Sequence, residues 1–299
     1  MKQKDKNNVI LVTGGAGYIG SKFSYDAIDA GYQVIIVDNL TTGDKNLIPK
    51  KAIFYKCNVI NKDKINKILF KHKIKTVVHF AASTSVSESM KNPDKYYHNN
   101  TEATKVLLKT CISNNVLKFI FSSTAAVYGA SNKKIISEKD KCKPKSHYGK
   151  SKLLCEKILR KYSKDKISIG ILRYFNVIGA DKNLRTGCIN NIGQLFKNLS
   201  ENINKKKYSI KIFGKNYKTK DGTCERDFID INDLTYYHLN LLKLLKKNKY
   251  ILLNCGYKKS LSVLEIVEKF EQMIKIKIKK KFIESRKVIF QKLFVITKS

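Results

Sequence analysis

One stretch, residues 9–38, limits the possible folds more than any other. Val9 to Val12 is a short apolar run, Thr13-Gly14-Gly15-Ala16-Gly17-Tyr18-Ile19-Gly20 is a glycine-punctuated turn, and Val34 to Val37 is a second apolar run that ends at Asp38. Strand, glycine turn, helix, strand and acid in that order predict a βαβ unit built to receive a dinucleotide. Gly14 permits the tight turn out of the strand, Gly17 lets backbone approach a pyrophosphate, and Gly20 lets the helix pack closely. A helix starting near Gly17 offers unpaired N–H groups and the positive end of its dipole to phosphates. Asp38 falls where a carboxylate bonds the adenosine ribose hydroxyls and repels a 2′-phosphate, which favours NAD over NADP.

The same alternation continues along the chain. Ile53 to Tyr55, Thr76 to Phe80, Leu117 to Ser122 and Ile167 to Leu172 read as strands. Between them, Lys62 to Lys73, Lys95 to Asn114 and Gly149 to Tyr162 read as helices. The expected class is α/β, a doubly wound parallel sheet of Rossmann type with a smaller C-terminal substrate-binding domain and ligands at the carboxyl ends of the strands. Residues 1–176 form the expected cofactor domain, with 228–257 returning to it through a helix at Asn232 to Lys246 and a strand at Ile251 to Cys255. Residues 177–227 and 258–299 form the expected substrate domain. Its last clear helix, Ser262 to Ile274, opens with a capping-box pattern, Ser262 followed by Glu265.

Composition narrows the function classes. The chain has 299 residues, enough to bury a large core, and no apolar run of membrane-spanning length. With no signal-peptide core after Met1, the expectation is a cytoplasmic protein that does not engage membranes. Seven cysteines without a Cys-x-x-Cys pair and five scattered histidines suggest neither disulfides nor metal. The net charge of +36 invites a nucleic-acid reading. Lysine dominates the basic residues and is scattered over faces expected to be exposed, which points instead to a compositional habit. No specific nucleic-acid partner is expected, although the charge could steer an anionic substrate.

The chemistry is expected at the strand ends. Thr76 to Phe80 opens into Ala81-Ala82, Lys95 to Asn114 carries Asn99-Asn100 near its start, and the fifth strand ends in Ser122-Ser123-Thr124. Tyr148-Gly149-Lys150-Ser151-Lys152 then places a phenol and an ammonium four residues apart, on one helical face. A cation beside a phenol favours phenolate, which can take a proton from an alcohol. Thr124 could fix the reacting oxygen.

From these motifs the chain resembles the extended short-chain dehydrogenase/reductases, and among them the UDP-glucose 4-epimerase family, over Val9 to about Arg286. Further long matches are Val37-Asp38-Asn39-Leu40, Ser85-Val86-Ser87-Glu88-Ser89, Tyr96 to Asn100, Phe121 to Gly129, Leu172-Arg173-Tyr174-Phe175-Asn176, Asp221-Gly222-Thr223 and Arg226-Asp227-Phe228. The resemblance implies NAD-dependent interconversion of UDP-glucose and UDP-galactose by transient oxidation at sugar C4. Tyr148 is implied as the base, Lys152 as its pKa modulator and ribose ligand, and Thr124 as the hydroxyl partner. Tyr18, Ile19, Asp38, Asn39, Asn58, Val59, Phe80, Ala81, Asn99 and Phe175 are implied as NAD contacts. Asn176, Asn191, Phe213, Arg226 and Arg286 are implied as UDP-sugar ligands, the arginines on the diphosphate. A homodimer is implied through the helices at Lys95 to Asn114 and Gly149 to Tyr162.

Related dehydratases carry an acidic pair after the threonine and decarboxylases a glutamate. Here Ala125 and Ala126 cannot transfer protons, so out-and-back hydride transfer is expected. Two departures stand out. Asn58 replaces an aspartate near the adenine. The chain also reads Arg286-Lys287-Val288-Ile289-Phe290 and ends at Ser299, where the family continues through Gly-Asp and a longer tail. The expectation is a shortened enzyme that holds NAD but turns over UDP-sugar poorly, with an exposed apolar patch on its second domain. Two alternatives stay open. One is a 4-epimerase of N-acetylated sugars, the gating position falling near Leu293; the other is a noncatalytic NAD- or RNA-binding protein.

Overall fold

The structure, a computed structural model, describes residues 8–129, 135–163, 167–189, 195–246 and 249–285. Its centre is a seven-stranded, wholly parallel sheet. In chain order its strands are β1 (Val9–Thr13), β2 (Gln33–Asp38), β3 (Ile53–Lys56), β4 (Thr76–His79), β5 (Lys118–Thr124) and β6 (Ser168–Tyr174), with β10 (Tyr250–Cys255) returning late to the edge. The spatial order β10-β6-β5-β4-β1-β2-β3 reverses direction between β1 and β4, the switch point at which such sheets bind ligands. The expected parallel sheet, and the return of the strand near 251–255 to it, are both present.

The helices flank this sheet on two sides: α1 (Tyr18–Asp29), α2 (Lys62–Lys71), α3 (Val86–Lys91), α4 (Pro93–Tyr96), α5 (Ala103–Ser113), α6 (His147–Tyr162) and, from the return segment, α8 (Ile231–Leu244). One apolar core lies between the sheet and α2, α5 and α6, through Leu11, Val77, Phe119, Leu107 and Leu159. A second lies between the sheet and α1 and α8, through Val12, Phe23, Ile36, Leu234 and Leu241. Each fully buried aliphatic or aromatic side chain contributes roughly 1.5–3 kcal/mol, and β5 and β6 run two residues beyond the apolar runs that marked them because their ladder continues through Ser123–Arg173 and Thr124–Tyr174.

Local chemistry sets the helix limits where these depart from the sequence reading. Helix α2 stops at Lys71 because Lys73 adopts a left-handed φ of 49°. Helix α6 starts at His147, two residues early, because the Ser146 hydroxyl accepts from Gly149 N–H at 3.1 Å. The expected helix at Lys95 to Asn114 is α4 and α5 joined by a π-helical segment, Tyr97–Glu102. That widened turn carries Asn99 and Asn100, and such segments recur at functional sites.

The remaining chain builds a second, smaller lobe from β7 (Asn176–Ile178), α7 (Leu195–Asn204), β8 (Ser209–Phe213), β9 (Glu225–Asp230), β11 (Ser260–Ser262), α9 (Val263–Ile274) and β12 (Lys279–Ile283). Strands β11-β9-β7 form one small sheet and β12-β8 another, around a separate core of Leu199, Ile210, Ile212, Phe228, Ile266, Val267 and Ile278. The capping box of α9 is formed as expected: Glu265 N–H donates to Ser262 Oγ at 2.9 Å, and Ser262 N–H to the Glu265 carboxylate at 2.8 Å. On this lobe Met273, Ile276 and Phe282 are exposed. Arg286 and all that follows, Leu293 included, lie outside the described residues, as does Asn191. Among the described residues no helix is long and apolar enough to cross a membrane.

Candidate active site

The glycine turn between β1 and α1 is shaped by contacts that tolerate no side chain. Gly14 has φ +71°, and a Cβ there would lie 2.5 Å from Ala81 N, because the turn packs directly on the backbone that leaves β4. A Cβ on Gly20 would overlap the Gly14 carbonyl, so the helix closes on the turn itself. Gly17 differs. A Cβ there would meet only the Gly14 carbonyl at 3.3 Å, leaving its other side open, and no side chain caps α1. The first-turn N–H groups of Tyr18, Ile19 and Gly20 thus remain available to an anion.

Asp38 is 7% exposed at the end of β2. Its carboxylate accepts from Ala16 N–H at 3.0 Å and Leu40 N–H at 2.8 Å, tying the glycine turn to the neighbouring strand end. A carboxylate has further lone pairs to offer two ribose hydroxyls. Together the open Gly17, the uncapped helix and this fixed acid fit the pyrophosphate and adenosine ribose of a dinucleotide.

The other expected cofactor contacts divide. Asn39 and Asn58 are exposed beyond β2 and β3, their side-chain oxygens accepting from Thr41 and Ile60 N–H. Phe80 and Ala81 line the exit of β4 at the switch point, with the Phe80 ring tilted against His238 at 5.0 Å between ring centres. The Asn99 amide donates to Ser83 Oγ at 3.0 Å. Val59 is packed in the core and Phe175 is buried against Ala125, Val127 and Tyr128. The Tyr18 side chain turns away from the turn to donate to the Gly179 carbonyl at 2.6 Å, and burial there raises its pKa.

At the next strand end, Thr124 closes β5 and its hydroxyl accepts from Ala126 N–H at 3.2 Å. That hydroxyl also lies against the Tyr148 phenol and favours its ionisation. Burial acts more strongly and pushes the phenol up to about 12. Lys152 is 2% exposed and donates to the Ser122 carbonyl at 2.8 Å, with its ammonium 4.6 Å from the Phe121 ring centre. Burial lowers Lys152 to about 8, opposed by Cys155 and Glu156. The two groups share a helix face as expected, but in this structure the ammonium does not bring the phenol toward neutrality. A carbonyl has claimed the cation, and desolvation of the phenol prevails.

Toward the second lobe, Asn176 donates to the Asp227 carbonyl at 2.9 Å, linking β7 to β9. Phe213 ends β8, half-buried. Arg226 lies half-buried in β9 and donates to the Glu225 carbonyl at 3.0 Å, and burial lowers its pKa. Among the described residues no cluster of three metal-ligating side chains occurs.

Two further residues fix this site although the sequence assigned them no role. The Asn100 amide pins the Ala81–Ser85 loop, accepting from Ser83 N–H at 2.8 Å and donating to the Ser83 carbonyl at 3.0 Å, and also bonds Ser151 Oγ. His79 bridges Thr13 and Thr104 hydroxyls at 2.6 and 2.9 Å beneath the turn. A polar residue inside an otherwise apolar strand was the available signal for His79, and the doubled asparagine for Asn100.

With this arrangement in view, comparison with known proteins gives a consistent answer. Residues 10–256 match the family described as "NAD dependent epimerase/dehydratase family". The chain belongs to that family. It is similar to a UDP-glucose 4-epimerase of Azospirillum brasilense, 39% identical over 267 residues, which span 88% of this chain and 77% of that one. It is also similar to a UDP-arabinose 4-epimerase of Arabidopsis thaliana, 36% identical over 292 residues, covering 93% of this chain and 70% of the other. Among solved structures, a UDP-glucose 4-epimerase from Bifidobacterium longum in complex with NAD+ and UDP superposes with a TM-score of 0.91 at 30% identity, covering 97% and 90% of the two chains.

Proposed function

We propose that this chain interconverts UDP-glucose and UDP-galactose by reversible oxidation at sugar C4, with NAD held throughout. The observation that carries the reading is the Thr124 hydroxyl against the Tyr148 phenol at the end of β5, with Lys152 one turn along α6 bonded to the Ser122 carbonyl and proton-inert Ala125 and Ala126 behind the threonine. Names borne by similar proteins, in Azospirillum and Bifidobacterium among others, support it.

In this reading the first turn of α1 binds the pyrophosphate and Asp38 the adenosine ribose. Asn39, Asn58, Val59, Phe80, Ala81, Asn99 and Phe175 complete the cofactor wall, and Lys152 bonds the second ribose. Held by these residues, NAD would supply the hydride acceptor and donor that a reversible oxidation at C4 requires. Tyr148 takes the 4-hydroxyl proton and gives it back, while the Thr124 hydroxyl holds the same oxygen. The phenol of the protein alone is a poor base, and a positive charge entering the cleft is the physical means of lowering its pKa. Asn176, Asn191 and Phe213 hold the uridine and sugar, and Arg226 and Arg286 the diphosphate. Residues 177–227 and 258–299 act as the substrate domain, and the chain pairs as a homodimer through α5 and α6.

Similarity to a UDP-arabinose 4-epimerase favours a second reading, in which a pentose is the sugar and the C4 chemistry is unchanged. Incubation with UDP-galactose, UDP-N-acetylgalactosamine and UDP-arabinose in turn, followed by product analysis, separates the readings. Conversion of UDP-galactose to UDP-glucose is expected, and conversion of another sugar alone would replace the assignment.

A further inference from the structure

Beneath the candidate site lies a charged pair that the mechanism does not use. Glu156 and Arg173 are each 4% exposed. Arg173 Nη2 donates to Glu156 Oε2 at 2.6 Å and Nε to Oε1 at 3.0 Å, a bidentate pair, and Ser123 Oγ donates to the same Oε1 at 2.5 Å. The second face of the guanidinium is also engaged: Nη1 donates to Tyr128 OH at 2.6 Å, and that hydroxyl donates to Asn254 Oδ1 at 2.7 Å.

The placement of these residues is ordered. Ser123, Arg173 and Asn254 are direct cross-strand neighbours on β5, β6 and β10, so one row of the sheet presents three polar side chains toward α6. Glu156 comes down to meet that row from α6. On the helix, Tyr148, Lys152 and Glu156 recur every four residues and form a single stripe. On the strand, Ser123 immediately precedes Thr124. The carboxylate therefore ties the element that carries the phenol and ammonium to the strand end that carries the threonine hydroxyl. It also opposes the effect of burial on Lys152.

Stability alone is a poor reason for this arrangement. Desolvating two charges offsets most of their attraction, and buried pairs can often be replaced by apolar residues of similar volume without loss. What such a pair does supply is directional, bidentate geometry. We propose that the Glu156–Arg173 pair, with Ser123, is a positioning device that sets the spacing between Thr124 on β5 and the Tyr148–Lys152 face of α6. It rests on the epimerase reading above. None of the three is a catalytic residue, since they act through the groups they hold.

The test compares Ser123→Ala, Ser123→Thr and the paired replacement Glu156→Met/Arg173→Met with the unaltered chain. A core control, Ile65→Ala, removes buried volume from α2, a helix that carries none of these residues. Each is measured for thermal midpoint, NAD content, KM and kcat on UDP-galactose. Misplacement of reacting groups by about 1 Å costs up to ~10²-fold in rate, so kcat in Ser123→Ala and in the paired variant is expected to fall about tenfold or more. KM and NAD content are expected to hold, with Ser123→Thr restoring the rate and Ile65→Ala losing stability but not kcat. If the unaltered chain turns over and both Ser123→Ala and the paired variant match its kcat, the positioning role is overturned while the epimerase reading stands. A fall in kcat that tracks the thermal midpoint in every variant, Ile65→Ala included, also overturns it. Ser123→Ala removes one hydroxyl and decides the matter alone should the paired variant fail to fold. An unaltered chain with no turnover of any UDP-sugar removes the epimerase reading first.

Discussion

Lys152 lies one helical turn from Tyr148 and donates its ammonium to the Ser122 carbonyl at 2.8 Å, on the strand that ends in Thr124. The cation is thus held at the sheet, where it can meet a ribose, and the phenol is left to the Thr124 hydroxyl and to burial. The phenol and the ammonium therefore share one helix face but have separate partners, Thr124 for the first and the Ser122 carbonyl for the second.

Removing the phenol oxygen tests this division of labour. For Tyr148→Phe we expect loss of turnover of about 10²–10⁴-fold, the usual contribution of a positioned acid–base group. NAD content, read from the absorbance of the purified protein, should be unchanged because the ring still packs edge-on against Tyr96. Loss of NAD together with turnover would instead make Tyr148 a binding residue.

The turn offers a sharper structural test. At Gly14 an alanine Cβ would fall 2.5 Å from Ala81 N at a φ of +71°. Gly14→Ala should cost at least ~2 kcal/mol in denaturant unfolding, from strain and overlap together. Unchanged stability would mean that the turn is not packed on the β4 exit as described.

Much of this arrangement is legible in the sequence. The glycine turn, Asp38 and the Tyr148–Lys152 spacing are local signals, and each falls where its period places it. Less legible are the features that depend on two distant segments meeting. Nothing in the order of residues says that Asn100 will hold Ser83, that His79 will sit between two threonines, or that Ser122 rather than Tyr148 will take the Lys152 ammonium. The π-helical segment at Tyr97–Glu102 is likewise hidden, because it keeps helical composition while changing the pitch. Desolvation decides the Tyr148 pKa, and burial is a property of the fold.

Two buried histidines set an acid limit on stability. Burial lowers His79 from an ordinary 6.5 to about 3, and His238, between Tyr174 and the Leu234 carbonyl, to about 4. Both are neutral in the folded chain at pH values where the unfolded chain has begun to protonate them. Their contribution is therefore complete above the unfolded value and is lost as pH falls toward the folded values. The thermal midpoint should decline from about pH 6.5 down to 4, and His238→Asn should flatten that slope. A midpoint independent of pH over this window would show that the rings are not buried and neutral.

The capping box of α9 supports the core of the second lobe. Ser262→Ala removes the cap and the hydroxyl's bond to Asp221, with an expected loss of about 1–2 kcal/mol. Thermal unfolding reads it directly, and a loss near zero would mean that α9 is held by its apolar face alone.

One assay reaches the cofactor-retaining epimerase reading without any variant. The purified chain is given UDP-galactose with no added nucleotide, and the products are resolved. UDP-glucose is the expected product, together with NAD released from the protein on denaturation. Absence of both bound NAD and sugar conversion, in a chain shown to be folded, would contradict it.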